Sequence, residues 1–195
     1  MAKKYLTCAE TAKLVRAALK EAFPGVKFSV RSSTYSGGAS MGVKWMDGPN
    51  TSQVDAVVNR FKGSYFDGSI DYQGSIYHMI DGQEVSMGAD YIFTNRSYSA
   101  DMVARAIDRL FYRYAGNLKG MEKPTAEDFL QGQLWHVRIP GLQDAMQHEI
   151  NAILYKQSDR LKVERSTTAG KVMVIGDDGY SRQCGSGRSA VSVSE

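Results

Sequence analysis

Residues 28–49, FSVRSSTYSGGASMGVKWMDGP, predict two β-strands joined by a polar connection and closed by an Asp-Gly-Pro turn. Apolar residues in the first strand alternate with Lys27, Ser29 and Arg31. The second strand places Met41, Val43 and Trp45 on one face and Lys44 on the other. Such alternation indicates a sheet with one buried and one open face. We expect residues 32–40, which are rich in Ser and Gly, to form a loop.

The residues on either side of this stretch predict helices that pack on the buried face. Thr7 and Glu10 form a capping box, which predicts a helix from there to Phe23. A second helix has apolar residues at helical spacing, namely Val54, Val57, Val58 and Phe61. Further on, Asp81-Gly82 predicts a hairpin turn. The sequence therefore predicts an α+β fold, with an antiparallel sheet and helices packed on one face.

The second half of the chain mixes helical and extended patterns. We predict a helix over 100–114 capped by Ser99, a short helix after Thr125 and a helix over 142–157. A strand is predicted over 134–139 with His136 partly buried in it, and a hairpin over 160–165 and 171–175. The polar connection before residue 125 suggests a boundary. We therefore predict an α+β domain over 1–116, a smaller α+β extension over 117–180 and a flexible tail over 181–195.

The composition indicates a globular protein without a membrane partner. Hydrophobic residues make up 43% of the 195 residues and charged residues 23%, which is ordinary for a globular chain. No apolar run approaches the roughly 18 residues of a membrane span, and the first residues lack a signal-peptide pattern. We interpret Cys8 and Cys184 as reduced thiols, which predicts a cytoplasmic location.

The charge is unevenly distributed, and this points to a candidate binding surface. Residues 1–63 carry 10 Lys or Arg and 4 Asp or Glu, whereas residues 64–100 carry 1 and 5. Clustered cations are suited to phosphate, although a solvated surface stays open as an alternative. The candidate binding residues are Lys27, Arg31 and Lys44 on the open sheet face, together with Tyr35. Tyr35 lies in the predicted loop, where it can stack on a base or on a partner's side chain.

A second candidate is the acidic segment, which has the residue types of a metal site. Its members are Asp67, Asp71, Asp81, Glu84 and Asp90, with His78 among them. Carboxylates hold divalent cations in hydrolases, but Asp-Gly pairs are also ordinary turn signals, and we favour the structural interpretation. Neither a nucleophile–His pattern nor zinc-ligand spacing occurs. We therefore assign no catalytic residue, no metal ligand and no cofactor.

Several short motifs occur together in the first half of the chain. They are Val30-Arg31-Ser32, Tyr35-Ser36-Gly37-Gly38, Val43-x-Trp45-x-Asp47-Gly48-Pro49, Phe61-x-Gly63, Phe66-Asp67-Gly68, Asp71 and Gly88-Ala89-Asp90-Tyr91-Ile92-Phe93. In this order and spacing, over about residues 11–100, the chain resembles the large polyvalent protein associated domains, in particular number 29 of that series. The resemblance implies a protein of a phage or conjugative element, acting alongside DNA entry or against host defence. It implies no catalytic motif.

Three functions follow from these observations and stay open. The leading prediction is a non-enzymatic binding or accessory protein of a phage or conjugative element, in the host cytoplasm, with nucleic acid as its partner. The first alternative is a counter-defence protein that binds a host defence protein. The second is a metal-dependent hydrolase that uses the acidic segment.

Overall fold

The computed structural model describes residues 3–159, 163–181 and 183. Across these residues it confirms the predicted α+β class, with six α-helices and eight β-strands. They are β1 (Lys4–Tyr5), α1 (Cys8–Ala22), β2 (Ser29–Tyr35), β3 (Gly38–Met46), α2 (Thr51–Val58), β4 (Ser64–Asp67), β5 (Tyr72–Ile80), β6 (Gln83–Ser86), β7 (Tyr91–Ser97), α3 (Ala100–Arg113), α4 (Ala126–Leu130), α5 (Met146–Lys156), α6 (Thr167–Lys171) and β8 (Val172–Asp177).

The strands form two mixed sheets instead of the single antiparallel sheet that we predicted. The larger sheet has the order β1-β6-β5-β4, with β8 added on β5, and its β1–β6 pair is parallel. The smaller sheet has the order β2-β3-β7. Its β3 and β7 run in the same direction, because the Asp90 N–H donates to the Ala39 carbonyl at one end and the Asp47 N–H donates to the Ser97 carbonyl at the other.

The described residues pack as two compact units. One contains residues 3–45, 52–95 and the described residues from 163 onward, and the other contains 46–51 and 96–159. The predicted boundary after residue 116 lies inside the second unit, and the division into domains stays a prediction. Of the predicted flexible tail, Ser181 is buried, whereas residue 182 and residues 184–195 lie outside the described residues.

In the first unit, α1 and α2 pack on one face of the small sheet. The predicted capping box starts α1, because the Glu10 N–H donates to Thr7 Oγ1 (3.2 Å) and the Thr7 N–H donates to Glu10 Oε2 (2.8 Å). The apolar face of β3 is buried in the core as predicted, and Trp45 is only 3% exposed. The buried residues of this core come from both helices and the sheet, and they include Val15, Leu19, Phe23, Met41, Val43, Trp45, Val54, Val58 and Phe61.

The predicted loop over 32–40 is wrong, because most of it is strand. β2 and β3 stay in register from the pair Ser29–Lys44 to the pair Tyr35–Gly38, so only two residues form the turn. Gly37 in that turn has φ 92°, a value that favours glycine. The Ser and Thr residues of the stretch lie in paired strands with an open face, where polar side chains are compatible with pairing.

The hairpin predicted at Asp81-Gly82 is confirmed and joins β5 to β6. Both turn residues have positive φ, 49° for Asp81 and 79° for Gly82. This is the backbone conformation of a two-residue turn that matches the twist of the flanking strands.

In the second unit, α3, α4 and α5 enclose a helical core. Ser99 caps α3 as predicted and accepts from the Met102 N–H (3.2 Å). The strand predicted over 134–139 is wrong: Gln133–His136 is a 3₁₀ turn that buries Leu134, and His136 is exposed. α5 begins four residues later than predicted, at Met146. Within residues 98–159, extended pairing is limited to one bridge between Arg138 and Ala145.

The hairpin predicted near the end of the chain is also wrong. Ser166 caps the short helix α6, and its Oγ accepts from the Ala169 N–H at 2.9 Å. The following strand, β8, pairs antiparallel with β5, so its partner is distant in sequence. Residues 160–162 of the predicted hairpin lie outside the described residues.

No helix among the described residues is both long and apolar enough to cross a membrane.

Candidate nucleic-acid interface

The open face of the β2–β3 hairpin brings two of the predicted cations together. Ser29 pairs with Lys44, and Arg31 pairs with Gly42, two positions further along the ladder. Residues that lie opposite each other in antiparallel strands point to the same face, so Arg31 and Lys44 are diagonal neighbours. Both side chains are exposed.

Between these cations the sheet surface is depressed. A Cβ added at Gly42 would have no neighbouring atom within 4 Å, so the space above this residue is open. Ser29, Arg31, Gly42 and Lys44 line a depression of about 190 Å³. Its floor is backbone and its walls carry two positive charges, a combination that can receive a small anionic group.

The other two predicted binding residues lie further from the depression along the chain. Lys27 is exposed but precedes β2 by two residues. Tyr35 is 52% exposed at the far end of β2, four residues beyond Arg31 and thus roughly 13 Å along the strand. Its ring covers Gly38, where an added Cβ would come within 3.1 Å of Tyr35 Cε2. The structure thus brings Arg31 and Lys44 to diagonal positions on one face and places Tyr35 at the hairpin end of the same strands.

Sequence reasoning missed the contribution of β7 to this face. Ile92 is 5% exposed and packs in the core with Met41, whereas Phe93, the next residue, is 63% exposed. Because side chains alternate along a strand, Phe93 and Tyr91 belong to the open face. Their rings are stacked, with centroids 6.2 Å apart and an interplanar angle of 25°. The alternation of Ile92 and Arg96 with Phe93 and Asn95 was the available signal.

Asp90, which precedes β7, has a structural role at the Tyr35 end of the face. Its Oδ2 accepts from the Ala39 N–H (2.7 Å), and its Oδ1 accepts from Ser64 Oγ (2.9 Å). The carboxylate therefore ties the start of β7 to β3 and β4. Because this negative charge lies at the Tyr35 end, the Arg31–Lys44 end is the positive end of the face.

The remaining acidic segment is engaged in turns and hydrogen bonds. Asp67 accepts from the Ser69 N–H (2.9 Å) and from the Ser181 hydroxyl, and these hydrogen bonds lower the pKa of its carboxyl. Asp71 and Asp81 are turn residues, each with φ 49°. His78 is fully buried, and burial lowers its pKa to about 4.

A grouping of metal-ligating atoms occurs elsewhere in the chain. Among the described residues, one set of three such side chains lies within 4.8 Å, and it consists of Asp144, His148 and Glu149. His148 and Asp144 are exposed, and His148 Nδ1 lies 3.5 Å from Asp144 Oδ1, which accounts for their proximity as a surface contact. The set contains none of the acidic residues that the sequence singled out.

The second unit carries a different basic surface, on α3. Arg105, Arg109 and Arg113 are exposed along this helix, and Arg105 pairs with Asp159 at 3.6 Å. This row has the ordinary features of a solvated helix face. It provides an internal comparison for the face of the small sheet.

Comparison with known proteins identifies the part of the chain that contains this face. The family model described as large polyvalent protein associated domain 29 matches residues 6–99, a span that includes α1, α2 and all three strands of the small sheet. No curated protein and no solved structure matches the chain. A domain of this family indicates a protein associated with phages or other mobile elements. Residues 6–99 therefore belong to the large polyvalent protein associated domain 29 family.

Proposed function

We propose that this protein is a non-enzymatic binding module that contacts the phosphates of nucleic acid with the open face of its small sheet. The observation that carries the proposal is the pair Arg31 and Lys44, which flanks the depression over Gly42. Neither cation has an ion-pair partner among residues 3–159, 163–181 and 183. Both charges are therefore available to a phosphate group.

The chemistry of the surrounding face supports this assignment. Nucleic-acid affinity depends chiefly on Lys and Arg near phosphates, and hydroxyl groups add hydrogen bonds to the phosphate oxygens. The face supplies hydroxyls from Ser29 and Ser33 on β2 and from Ser40 on β3. Such contacts carry little sequence information, so the expected binding is weak and tolerant of sequence. We place this binding in the cytoplasm of the bacterial host.

A counter-defence role is the second candidate, and one observation favours it. Phe93 is a large apolar side chain that is 63% exposed on β7, which lies beside β3 in the same sheet. An aromatic residue next to Arg is also the chemistry of a protein interface. A host defence protein with an acidic surface would fit the same face, and the test below separates the two candidates.

The test measures affinity for a fluorescent oligonucleotide by anisotropy over a series of salt concentrations. The double variant Arg31→Ala/Lys44→Ala should reduce the slope of log affinity against log salt by about 1.4 to 1.8, because each phosphate contact contributes about 0.7 with a single strand and about 0.9 with a duplex. Its melting temperature should not change, since both side chains are exposed.

A matched control removes the same charge from the other basic surface. Arg109→Ala/Arg113→Ala deletes two exposed cations of α3 and should leave the salt slope at the wild-type value. Equal slopes for the wild type and the Arg31/Lys44 variant would contradict the proposal. So would the absence of binding at low salt, and capture of a nuclease-insensitive host protein in place of nucleic acid would then support the counter-defence role.

A further inference from the structure

Three aromatic side chains share the open face with the two cations. Phe93 is 63% exposed, Tyr35 is 52% exposed and Tyr91 is half-buried. The neighbouring positions of β3 on this face are small, namely Gly38, Ser40 and Gly42. Small neighbours cover little of an adjacent ring. Phe93 in particular presents its surface to solvent although it lies within a paired strand.

The rings of Tyr91 and Phe93 are stacked and nearly parallel. Their centroids are 6.2 Å apart, and the planes are inclined by only 25°. Burial raises the pKa of the Tyr91 hydroxyl, and the nearby charge of Asp90 acts in the same direction, so this ring stays neutral at physiological pH. A neutral aromatic pair with Phe93 exposed offers a surface for a flat ligand group without adding negative charge.

Charge and aromatic surface together define the ligand class. Successive bases of a single strand stack on aromatic side chains while cations follow the backbone, and stacking is tolerant of sequence because every base has a π-face. In a duplex the faces of the bases are occupied by their neighbours. RNA-recognition motifs bind single-stranded RNA in this manner, with bases stacked on aromatic residues of a sheet. A ligand that satisfies both Phe93 and the Arg31–Lys44 pair must therefore present unpaired bases beside phosphates.

We infer that the ligand of this face is single-stranded nucleic acid, with a base stacked on Phe93 and adjoining phosphates at Arg31 and Lys44. This inference rests on the proposed function and adds the strandedness of the ligand to it. Asp90 sets the orientation, because its carboxylate lies at the Tyr35 end and repels phosphate there. The backbone of the nucleic-acid strand therefore passes the Arg31–Lys44 end of the face, and Tyr91 and Tyr35 contact the bases that follow.

The experiment compares three fluorescent probes by anisotropy at one salt concentration. They are a short oligothymidylate, its duplex with oligoadenylate and an abasic oligomer of the same length, which has phosphates but no bases. Wild-type protein should bind oligothymidylate more tightly than either other probe. Phe93→Ala should weaken binding of oligothymidylate roughly 5- to 150-fold, the loss associated with one stacked base, and leave the other two affinities unchanged.

Matched variants separate stacking from general effects on the surface. Phe93→Tyr keeps an aromatic ring and should retain most of the affinity. Tyr112→Ala removes an aromatic ring that is 89% exposed on α3 and should change no affinity. The salt slope of Phe93→Ala should equal that of the wild type, because no cation has been removed.

Different experimental results would overturn the stacking inference and the proposed phosphate binding. Equal wild-type affinities for the three probes would overturn the stacking inference and leave phosphate binding in place, and this arm needs no variant to fold. Unchanged oligothymidylate binding by a folded Phe93→Ala would have the same meaning. Absence of binding to all three probes would overturn both proposals, and a Phe93-dependent protein captured after nuclease treatment would assign the face to a protein partner.

Discussion

At the scale of single residues, Arg96 is the clearest example of a side chain that organises its surroundings. It is 9% exposed and donates to four backbone carbonyls of the second unit, those of Asp47 (3.0 Å), Gly48 (3.1 Å), Leu154 (3.1 Å) and Gln157 (2.7 Å). Burial lowers the pKa of the guanidinium, but an arginine remains charged. One cation thus satisfies carbonyl groups from a turn and from the end of α5.

Arg96→Ala should reduce the free energy of unfolding by at least about 3 kcal/mol, because each buried carbonyl left without a donor costs about 1–3 kcal/mol. The free energy of unfolding of Arg96→Lys should lie between those of the wild type and Arg96→Ala, since an ammonium cannot reproduce the planar fork of a guanidinium. Urea denaturation measures the change. Arg113→Ala, at an exposed position, serves as control and should stay within about 0.5 kcal/mol of the wild type. A loss below about 1 kcal/mol for Arg96→Ala would refute this account of the cluster.

His78, which is fully buried in β5, should make stability depend on pH. Burial lowers its pKa to about 4 in the folded protein, against an ordinary value of about 6.5 in the unfolded chain. Between these values the unfolded state binds more protons, so stability is lost as the pH falls through this window. The loss should amount to about 3 kcal/mol when the pH falls from 7 to below 4.

Urea titrations at a series of pH values test this linkage. His78→Leu should lose less stability than the wild type between about pH 6.5 and 4, because the titrating group is gone. His136→Gln removes an exposed histidine and should retain the wild-type pH profile. Parallel profiles for His78→Leu and the wild type would show that His78 does not titrate in this window.

At the scale of elements, local signals in the sequence predicted the elements that depend on neighbouring residues. The caps at Thr7, Ser99 and Thr125 act within three residues of the helix start, so each could be predicted from the sequence alone. The turn at Asp81-Gly82 is equally local. These predictions succeeded because the hydrogen bonds or backbone angles concerned are set by a few adjacent residues.

Elements that depend on distant pairing were predicted poorly. The Ser-rich part of β2 has little strand propensity, and its pairing with β3 makes it a strand. β8 was assigned to a local hairpin, whereas its partner is β5, roughly one hundred residues earlier. Leu134 looked like a strand residue because a short apolar run does not distinguish a strand from a buried turn.

The residues of the candidate site also fall into two groups, one that the sequence predicted and one that depends on distant strand pairing. Arg31 and Lys44 share a face because strand alternation and the pairing of neighbouring strands are visible in the sequence. Phe93 belongs to the same face only because β7 lies beside β3, which joins residues about fifty positions apart. No local sequence pattern predicts that β7 lies beside β3. The position of Phe93 on this face could therefore be seen only in the structure.

At the scale of the whole molecule, residues 6–99, which match the family model, do not form the first unit by themselves. Strand β8 extends the larger sheet from outside residues 6–99. Glu21 in α1 accepts from Ser166 Oγ (2.8 Å) and from the Thr168 N–H (2.9 Å), which joins α6 to α1. The hydrogen bond from the Thr168 backbone contributes most to lowering the pKa of Glu21 to about 2. The C-terminal residues therefore help to build the unit that carries the open face.

The central claim is that nucleic acid binds the open face of the small sheet, and an NMR titration of isotope-labelled protein with oligothymidylate tests it most directly. We predict that chemical-shift changes concentrate on β2, β3 and β7, with Arg31, Gly42 and Phe93 among the most affected residues. The exposed arginines of α3, represented by Arg109, should not shift. Changes concentrated on α3, or a spectrum without changes at saturating oligonucleotide and low salt, would contradict the account.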